Sequence, residues 1–329
     1  MKANPERDRG NALRLGSRRS PMAVAQSGAV ARLVTERTGR AVELVGVTTL
    51  GDVSRAALTQ IGGTGVFVNA LRESLLGGEV DFAVHSLKDL PTGAAPGIAL
   101  AAVPARDDPR DALVTRDGAK FADLPIAARI GTGSPRRAAQ LLLLRPDVSC
   151  VPIRGNADTR LAKVRDGELD AVVLAYAGLG RIGRTDMVSE IFEPDDIVPA
   201  PGQGALAVEC RAADTELAAL LAAIDDPATR AAVTAERSLL AALEAGCSAP
   251  VGAYAEQAGA DRLCLHGVVL GVPGTVGAAA DAETVVVRER GEADAADAAR
   301  LGRELAARML ALGAEDLIGA KTDRDDAHD

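Results

Sequence analysis

Short apolar runs of strand length recur along this chain, each followed by a polar turn and then a stretch with helical spacing. Leu13-Arg14-Leu15 is the first run, and Gly16-Ser17-Arg18-Arg19-Ser20-Pro21 is the first turn. Ser20 suits an N-cap and Pro21 a first helical position, which predicts a helix over residues 22–37. A second strand over 42–47 leads through Gly51-Asp52 and the glycine-rich Gly62-Gly63-Thr64-Gly65 to a helix over 66–76. Gly77-Gly78 ends that helix, and Phe82-Ala83-Val84 forms the next strand. It runs into His85-Ser86-Leu87-Lys88-Asp89-Leu90-Pro91-Thr92, where the proline blocks further regular structure.

The pattern then repeats. Arg129-Ile130 leads into Gly131-Thr132-Gly133-Ser134-Pro135-Arg136-Arg137 and a helix to Leu144, stopped by Pro146. Later, Gly167-Glu168-Leu169-Asp170-Ala171-Val172-Val173 matches Gly78-Glu79-Val80-Asp81-Phe82-Ala83-Val84 almost position for position. Two copies of a βα unit in one order predict two similar α/β domains with a cleft between them. Pro199-Ala200-Pro201-Gly202-Gln203-Gly204 reads as a hinge, followed by a strand over 205–209. Beyond Asp226 the alternation stops: a helix over 227–245, strands over 251–255, 262–270 and 284–290, and an amphipathic helix over 295–312 predict a small α+β domain. Residues before Leu13 read as a disordered extension, and the tail after Ala314, with six acids against two bases, as a solvated one.

Composition narrows the classes. The chain has 329 residues, enough for two or three domains with cores of their own, and 47% of them are apolar. Aromatics are 2%, with no Trp, so there is little to stack on bases, and the formal charge of −9 repels polyanions unless positive charge is gathered in one place. A nucleic-acid partner is therefore not expected. The charged first ten residues do not form a signal peptide, and no apolar run approaches the roughly 20 residues that span a bilayer. The expectation is a cytoplasmic protein, its four cysteines held as thiols.

Positive charge is indeed gathered. Between Arg129 and Arg165 lie eight basic residues against two acids. Arg136 and Arg137 fall in the first turn of a predicted helix, where cations oppose the macrodipole. Free amides, the capping Ser134 and two guanidiniums at one helix start make an anion site. Arg154-Gly155-Asn156, with Arg160 one turn into the next helix, adds to it, and Arg18-Arg19 stands at the equivalent turn of the first repeat. A solvated basic face explains any one of these arginines but not their return at helix starts. Lys88-Asp89, side by side where a buried strand emerges, is either a surface ion pair or a carboxylate placed to steady a cation on a substrate.

Cys150, Cys210 and Cys264 each sit inside an apolar strand, as buried structural thiols do. Cys247 instead sits in the loop Glu244-Ala245-Gly246-Cys247-Ser248-Ala249-Pro250, where a thiol serves as a nucleophile or an attachment point. With no CxxC pair, and with His85, His266 and His328 scattered, no metal site is expected.

Taken together, residues 13–21, 85–92, 131–137 and 154–160, with Ala177-Gly178-Leu179-Gly180-Arg181, Pro201-Gly202-Gln203-Gly204 and Gly246-Cys247, resemble the porphobilinogen deaminase (hydroxymethylbilane synthase) family, in order from about residue 13 to 313. The resemblance implies two periplasmic-binding-protein-like α/β domains plus a small α+β C-terminal domain. On this chain they are 13–105 with 202–222, then 106–201, then 225–314, between an extension over 1–12 and an acidic tail over 315–329. It implies a transferase that joins four porphobilinogen molecules head to tail, with loss of ammonia, on a dipyrromethane primer bound by thioether to Cys247. Hydroxymethylbilane is then released and passed to the next pathway enzyme. Asp89 becomes the catalytic acid. Arg18, Lys88, Arg136, Arg137, Arg154, Arg160 and Arg181 become ligands of the cofactor and substrate carboxylates. Ser20, Thr132, Ser134, Gly155, Asn156 and Gln203 become supporting contacts, and Phe67 packs near the pyrroles. A monomer is implied.

Four positions depart from the family's frequent residues: Leu50 in place of Arg, Thr64 in place of Lys, and Asn69-Ala70 in place of Lys-Glu. Cationic contacts from a lid over 52–64 are accordingly not expected. A non-catalytic two-lobed anion-binding protein also explains the repeat and the arginines, but not the third domain or the loop cysteine. A ligand-sensing regulator lacks a helix-turn-helix segment ahead of the lobes.

Overall fold

The computed structural model describes residues 12–47, 65–245, 249–271 and 285–318, with the side chains of 65–67 excepted. The chain divides into two compact units: Met1–Asp108 with Gly180–Gly183 and Gly202–Arg230, and Pro109–Leu179 with Arg184–Pro201 and Ala231–Asp329.

The first unit holds a five-stranded sheet. Its strands are β1 (Leu13–Ser17), β2 (Val42–Gly46), β3 (Phe82–Ser86), β4 (Ile98–Ala102) and a late arrival, Leu206–Arg211, in the order β2-β1-β3-(Leu206–Arg211)-β4. β1 runs parallel to β2 and β3, whereas Leu206–Arg211 is antiparallel to both its neighbours. Ser20 accepts the Ala23 amide and starts α1 (Pro21–Thr38), which Gly39 ends in the left-handed region at φ 71°. α2 (Gly65–Leu76) contributes Leu71 and Leu75 to a small core with Val80 and Ala83.

The second unit repeats this plan. β5 (Asp111–Thr115), β6 (Arg129–Thr132), β7 (Ser149–Pro152), β8 (Ala171–Ala175) and β9 (Glu190–Ile191) form a sheet in the order β7-β6-β8-β5-β9. β6 is parallel to β7 and β8, and β5 is antiparallel to β8 and β9. β3 and β8, the strands that follow the two matching Gly-Glu segments, thus occupy the same place in their sheets. α3 (Pro135–Leu144), α4 (Ala157–Arg165) and α5 (Tyr176–Arg181) connect these strands. In the turn before α3 Gly133 is forced, because a Cβ there would lie 2.8 Å from the Ile153 carbonyl.

The strand Leu206–Arg211 is β10. α6 (Thr215–Leu221) and α7 (Pro227–Ala242) precede an antiparallel sheet of β11 (Val251–Gln257), β12 (Arg262–Leu270) and β13 (Val286–Asp294). One face of this sheet packs Ala253, Ala255, Leu263 and Leu265 against Leu239 of α7 and against Leu301, Leu305 and Met309 of α8 (Ala298–Ala311). The α+β reading of this region holds, with shifted edges. β13 runs to Asp294 rather than stopping at 290, because its charged residues alternate with small or apolar ones and so occupy an open face. The tail read as solvated from residue 315 begins instead as α9 (Ala314–Ile318), since Leu317 and Ile318 pack on the C-terminal core.

Candidate functional site

In the first unit β3 ends in a single 3-10 turn, Leu87–Asp89. Leu87 is fully buried and its amide donates to the Ala205 carbonyl at 3.0 Å, which anchors the turn to the loop before β10. Lys88 is half-buried and Asp89 is exposed, so the turn presents one carboxylate to solvent from a fixed backbone. Lys88 Nζ donates to Gln203 Oε1 at 3.3 Å, and Gln203 is itself fully buried. Gly202 has φ 74°, and a Cβ there would lie 3.1 Å from Leu87 Cγ. Gly204 has φ 87°, and a Cβ there would lie 2.4 Å from the Asp107 carbonyl. Only glycine admits this approach. Two carbonyls of this loop accept from arginines: Arg106 Nε donates to Gln203 O at 2.7 Å, and Arg181 Nη2 to Gly204 O at 2.6 Å. Arg181, expected as a carboxylate ligand, is also bridged to Asp107 at 2.8 Å.

Behind the turn lies a charged network that sequence reasoning missed. Glu209, inside β10, takes a bidentate pair of hydrogen bonds from Arg72 of α2, at 2.9 and 2.6 Å, and lies 3.3 Å from His85 Nε2. Burial alone would disfavour the Glu209 carboxylate, but the close approach of His85 and the hydrogen bonds from Arg72 outweigh it and hold its pKa at about 2. The available signal was an acid in the apolar run Leu206-Ala207-Val208-Glu209-Cys210. In the same unit Ser20 is spent on capping α1, and Arg18 is half-buried just after β1.

In the second unit Ser134 caps α3 by accepting the Arg137 amide, while the buried Thr132 hydroxyl accepts the Ser134 amide at 3.2 Å. Arg136 and Arg137 are buried rather than open to solvent, because both reach Asp111, the fully buried first residue of β5. Arg136 Nη2 is 2.8 Å from Oδ2, and Arg137 Nη2 is 2.7 Å from Oδ1. Arg136 Nη1 donates to the Val198 carbonyl at 2.6 Å, and Arg137 Nη1 to the Val173 carbonyl at 3.2 Å. Two guanidiniums thus share one carboxylate, and Arg136 Nε is buried with no hydrogen-bond partner among the described residues. Desolvation, then the positive charge of Arg137, pushes Arg160 below its usual range, which places its guanidinium in the same cationic field. Arg160 Nε donates to the Gly155 carbonyl at 2.9 Å, Asn156 caps α4 through Thr159, and Arg154 is exposed beside them.

The basic window is narrower than its eight cations suggested. Arg145 is paired with Asp147 and stitches the Phe121–Asp123 turn through backbone carbonyls, while Lys163 and Arg165 are paired with Glu168 and Asp166. The cations gathered at the starts of α3 and α4 are Arg136, Arg137, Arg154 and Arg160. Cys247, Leu50 and Thr64 lie outside the described residues, as does the Phe67 side chain; Asn69 is exposed on α2.

An anionic pyrrole primer fits the second-unit residues: Arg136 Nε, buried without a hydrogen-bond partner among the described residues, is a donor that an acid group of a ligand would satisfy. No described helix is long and apolar enough to cross a membrane.

Two family profiles match the chain: "Porphobilinogen deaminase, dipyromethane cofactor binding domain" over residues 13–219, and "Porphobilinogen deaminase, C-terminal domain" over 230–311. The porphobilinogen deaminase of Thermobifida fusca is 62% identical over 93% of this chain and 95% of its own length. Porphobilinogen deaminase 1 of Streptomyces coelicolor is 58% identical over 94% of this chain and 98% of its own. The porphobilinogen deaminase of Acidothermus cellulolyticus is 51% identical over 96% and 94%.

Proposed function

The chain belongs to the porphobilinogen deaminase family, and on that premise we propose that it is the hydroxymethylbilane synthase that adds four porphobilinogen molecules, head to tail, to a dipyrromethane held by thioether to Cys247. When bound, the dipyrromethane supplies the terminal pyrrole carbon at which the new bond forms. Asp89, exposed on a turn that Leu87 and Gln203 hold rigid, stabilises the positive charge on the incoming pyrrole as its aminomethyl group leaves as ammonia, and accepts hydrogen bonds from pyrrole N–H groups. Lys88 beside it neutralises one substrate carboxylate. Arg136, Arg137, Arg154 and Arg160 bind acetate and propionate groups, with Thr132, Ser134, Gly155 and Asn156 fixing the helix starts that carry them. Arg18, Ser20, Phe67, Arg181 and Gln203 complete the binding residues. Water releases hydroxymethylbilane, which passes to the next enzyme; the protein acts as a cytoplasmic monomer.

The observation that carries this reading is Arg136 at the start of α3, buried beside Arg137 with its Nε lacking a hydrogen-bond partner among the described residues, a donor that an acid group of a ligand would satisfy. Intact mass tests it. Active protein should exceed its sequence mass by one dipyrromethane, and Cys247→Ser should not. Active protein at its bare sequence mass would overturn the reading.

A further inference from the structure

One face of the C-terminal sheet packs against α7 and α8, and the β12 end of the other, at Val268 and Leu270, packs on Ala139 and Val198. The strand period of two puts Tyr254, Glu256, Cys264, His266, Arg290 and Glu292 on the other face. Glu256 and Cys264 are direct cross-strand partners, and His266 follows Cys264 by two along β12. Cys264 Sγ lies 3.4 Å from His266 Nε2, and that nitrogen lies 3.2 Å from Glu256 Oε1. All three ligand atoms fall within 4.8 Å of one another. A tetrahedral zinc ion, with bonds of about 2.0–2.3 Å, keeps its ligand atoms roughly 3.3–3.8 Å apart. The cluster is thus near the required spacing, and the proposed reaction has no use for it.

We propose that Glu256, Cys264 and His266 bind a single zinc ion, with water in the fourth position. The donor set is one thiolate, one imidazole and one carboxylate, a mixture that selects zinc over magnesium or calcium. Binding balances simply: the thiol proton leaves to solvent as the zinc–sulfur bond forms, and thiolate with carboxylate offsets the charge of the ion. His266 is buried while Glu256 is half-exposed, so the ion enters from the Glu256 side. The charged groups facing the site are few. Arg290 opposes a cation, but its guanidinium is engaged by Asp195; Glu292, the cross-strand neighbour of Cys264 on β13, favours one and is shared with Arg262. Linear spacing hid the site, because the ligands come from two strands that only pairing brings together.

The test uses the full-length protein with its primer attached, stripped with a chelator and titrated with cobalt(II). One cobalt per chain should appear with a thiolate-to-cobalt charge-transfer band and the visible bands of a tetrahedral ion, and zinc should displace it. Cys264→Ser should abolish the charge-transfer band. Glu256→Gln, on the solvent side where folding is not in question, should weaken binding more than about tenfold. Turnover should be unchanged in both, which separates this outcome from that of the proposed reaction. Absence of stoichiometric cobalt binding, a band undiminished in Cys264→Ser, or wild-type affinity in Glu256→Gln would overturn the assignment.

Discussion

Arg136 meets Asp111 at 2.8 Å, and both side chains are buried. Arg136 sits in the first turn of α3, where the macrodipole already disfavours a cation, and burial pushes its guanidinium further below its usual range. Asp111 therefore compensates two terms at once, for Arg136 and for Arg137. Asp111→Asn keeps the shape and removes the carboxylate charge that two buried guanidiniums share. It should cost about 3–5 kcal/mol of unfolding free energy, read by urea denaturation. A change below about 0.5 kcal/mol would mean that the two arginines find another anion.

Arg136→Ala removes the guanidinium whose Nε has no partner among the described residues. The expected result is impaired primer assembly, seen as missing dipyrromethane in the intact mass, or a raised KM. Unchanged cofactor content together with unchanged KM would take Arg136 out of the anion site.

Asp89→Ala touches an exposed side chain on an anchored turn. Stability should move by no more than about 0.5 kcal/mol, and the primer should remain bound. Turnover should fall by at least about 10²–10³, the loss expected when one preorganised electrostatic group is removed. Near-normal turnover would exclude Asp89 from the chemistry.

Glu209 predicts an acid-labile fold. Its carboxyl titrates at about 2 in the folded chain and at about 4.3 when unfolded. The depressed folded value means that the stabilisation is complete above pH ~4.3 and disappears as pH falls towards ~2. At neutral pH it amounts to roughly 3 kcal/mol. Glu209→Gln should lower stability by that order at pH 7 and flatten the pH dependence across this window. Parallel stability curves for the two proteins between pH 2 and 5 would remove Glu209 from the account.

Local chemistry was legible where it is carried by local residues. The Ser20-Pro21 and Ser134-Pro135 starts of α1 and α3 are read directly from capping, and both serines accept the expected amides. Gly77-Gly78 marks the end of α2 for the same reason. The Lys88-Asp89 turn was visible because Pro91 closes off the strand. What sequence could not reveal depends on partners distant in the chain. Asp111 and Arg137 are brought together by β5 and α3, and Glu209 and Arg72 by β10 and α2. Glu209 interrupts an apolar strand, which signals a buried ion but not its counter-ion, whereas Asp111 opens its strand after a charged stretch and gave no such signal. The strands β4, β5 and β9 were not read, and their order in the sheets is a property of pairing rather than of period.

The placement of β10 has a consequence for synthesis. This strand separates β3 from β4 in the first sheet, yet it emerges from the ribosome roughly 100 residues after β4, a delay of roughly 5–20 seconds at ordinary elongation rates. During that interval the edge of β3 has bare amides and carbonyls, while the strands β5 to β9 become available in an unbroken stretch. The sheet begun second is thus free to close first, and a nascent chain stalled short of Leu206 leaves the earlier one open to mispairing.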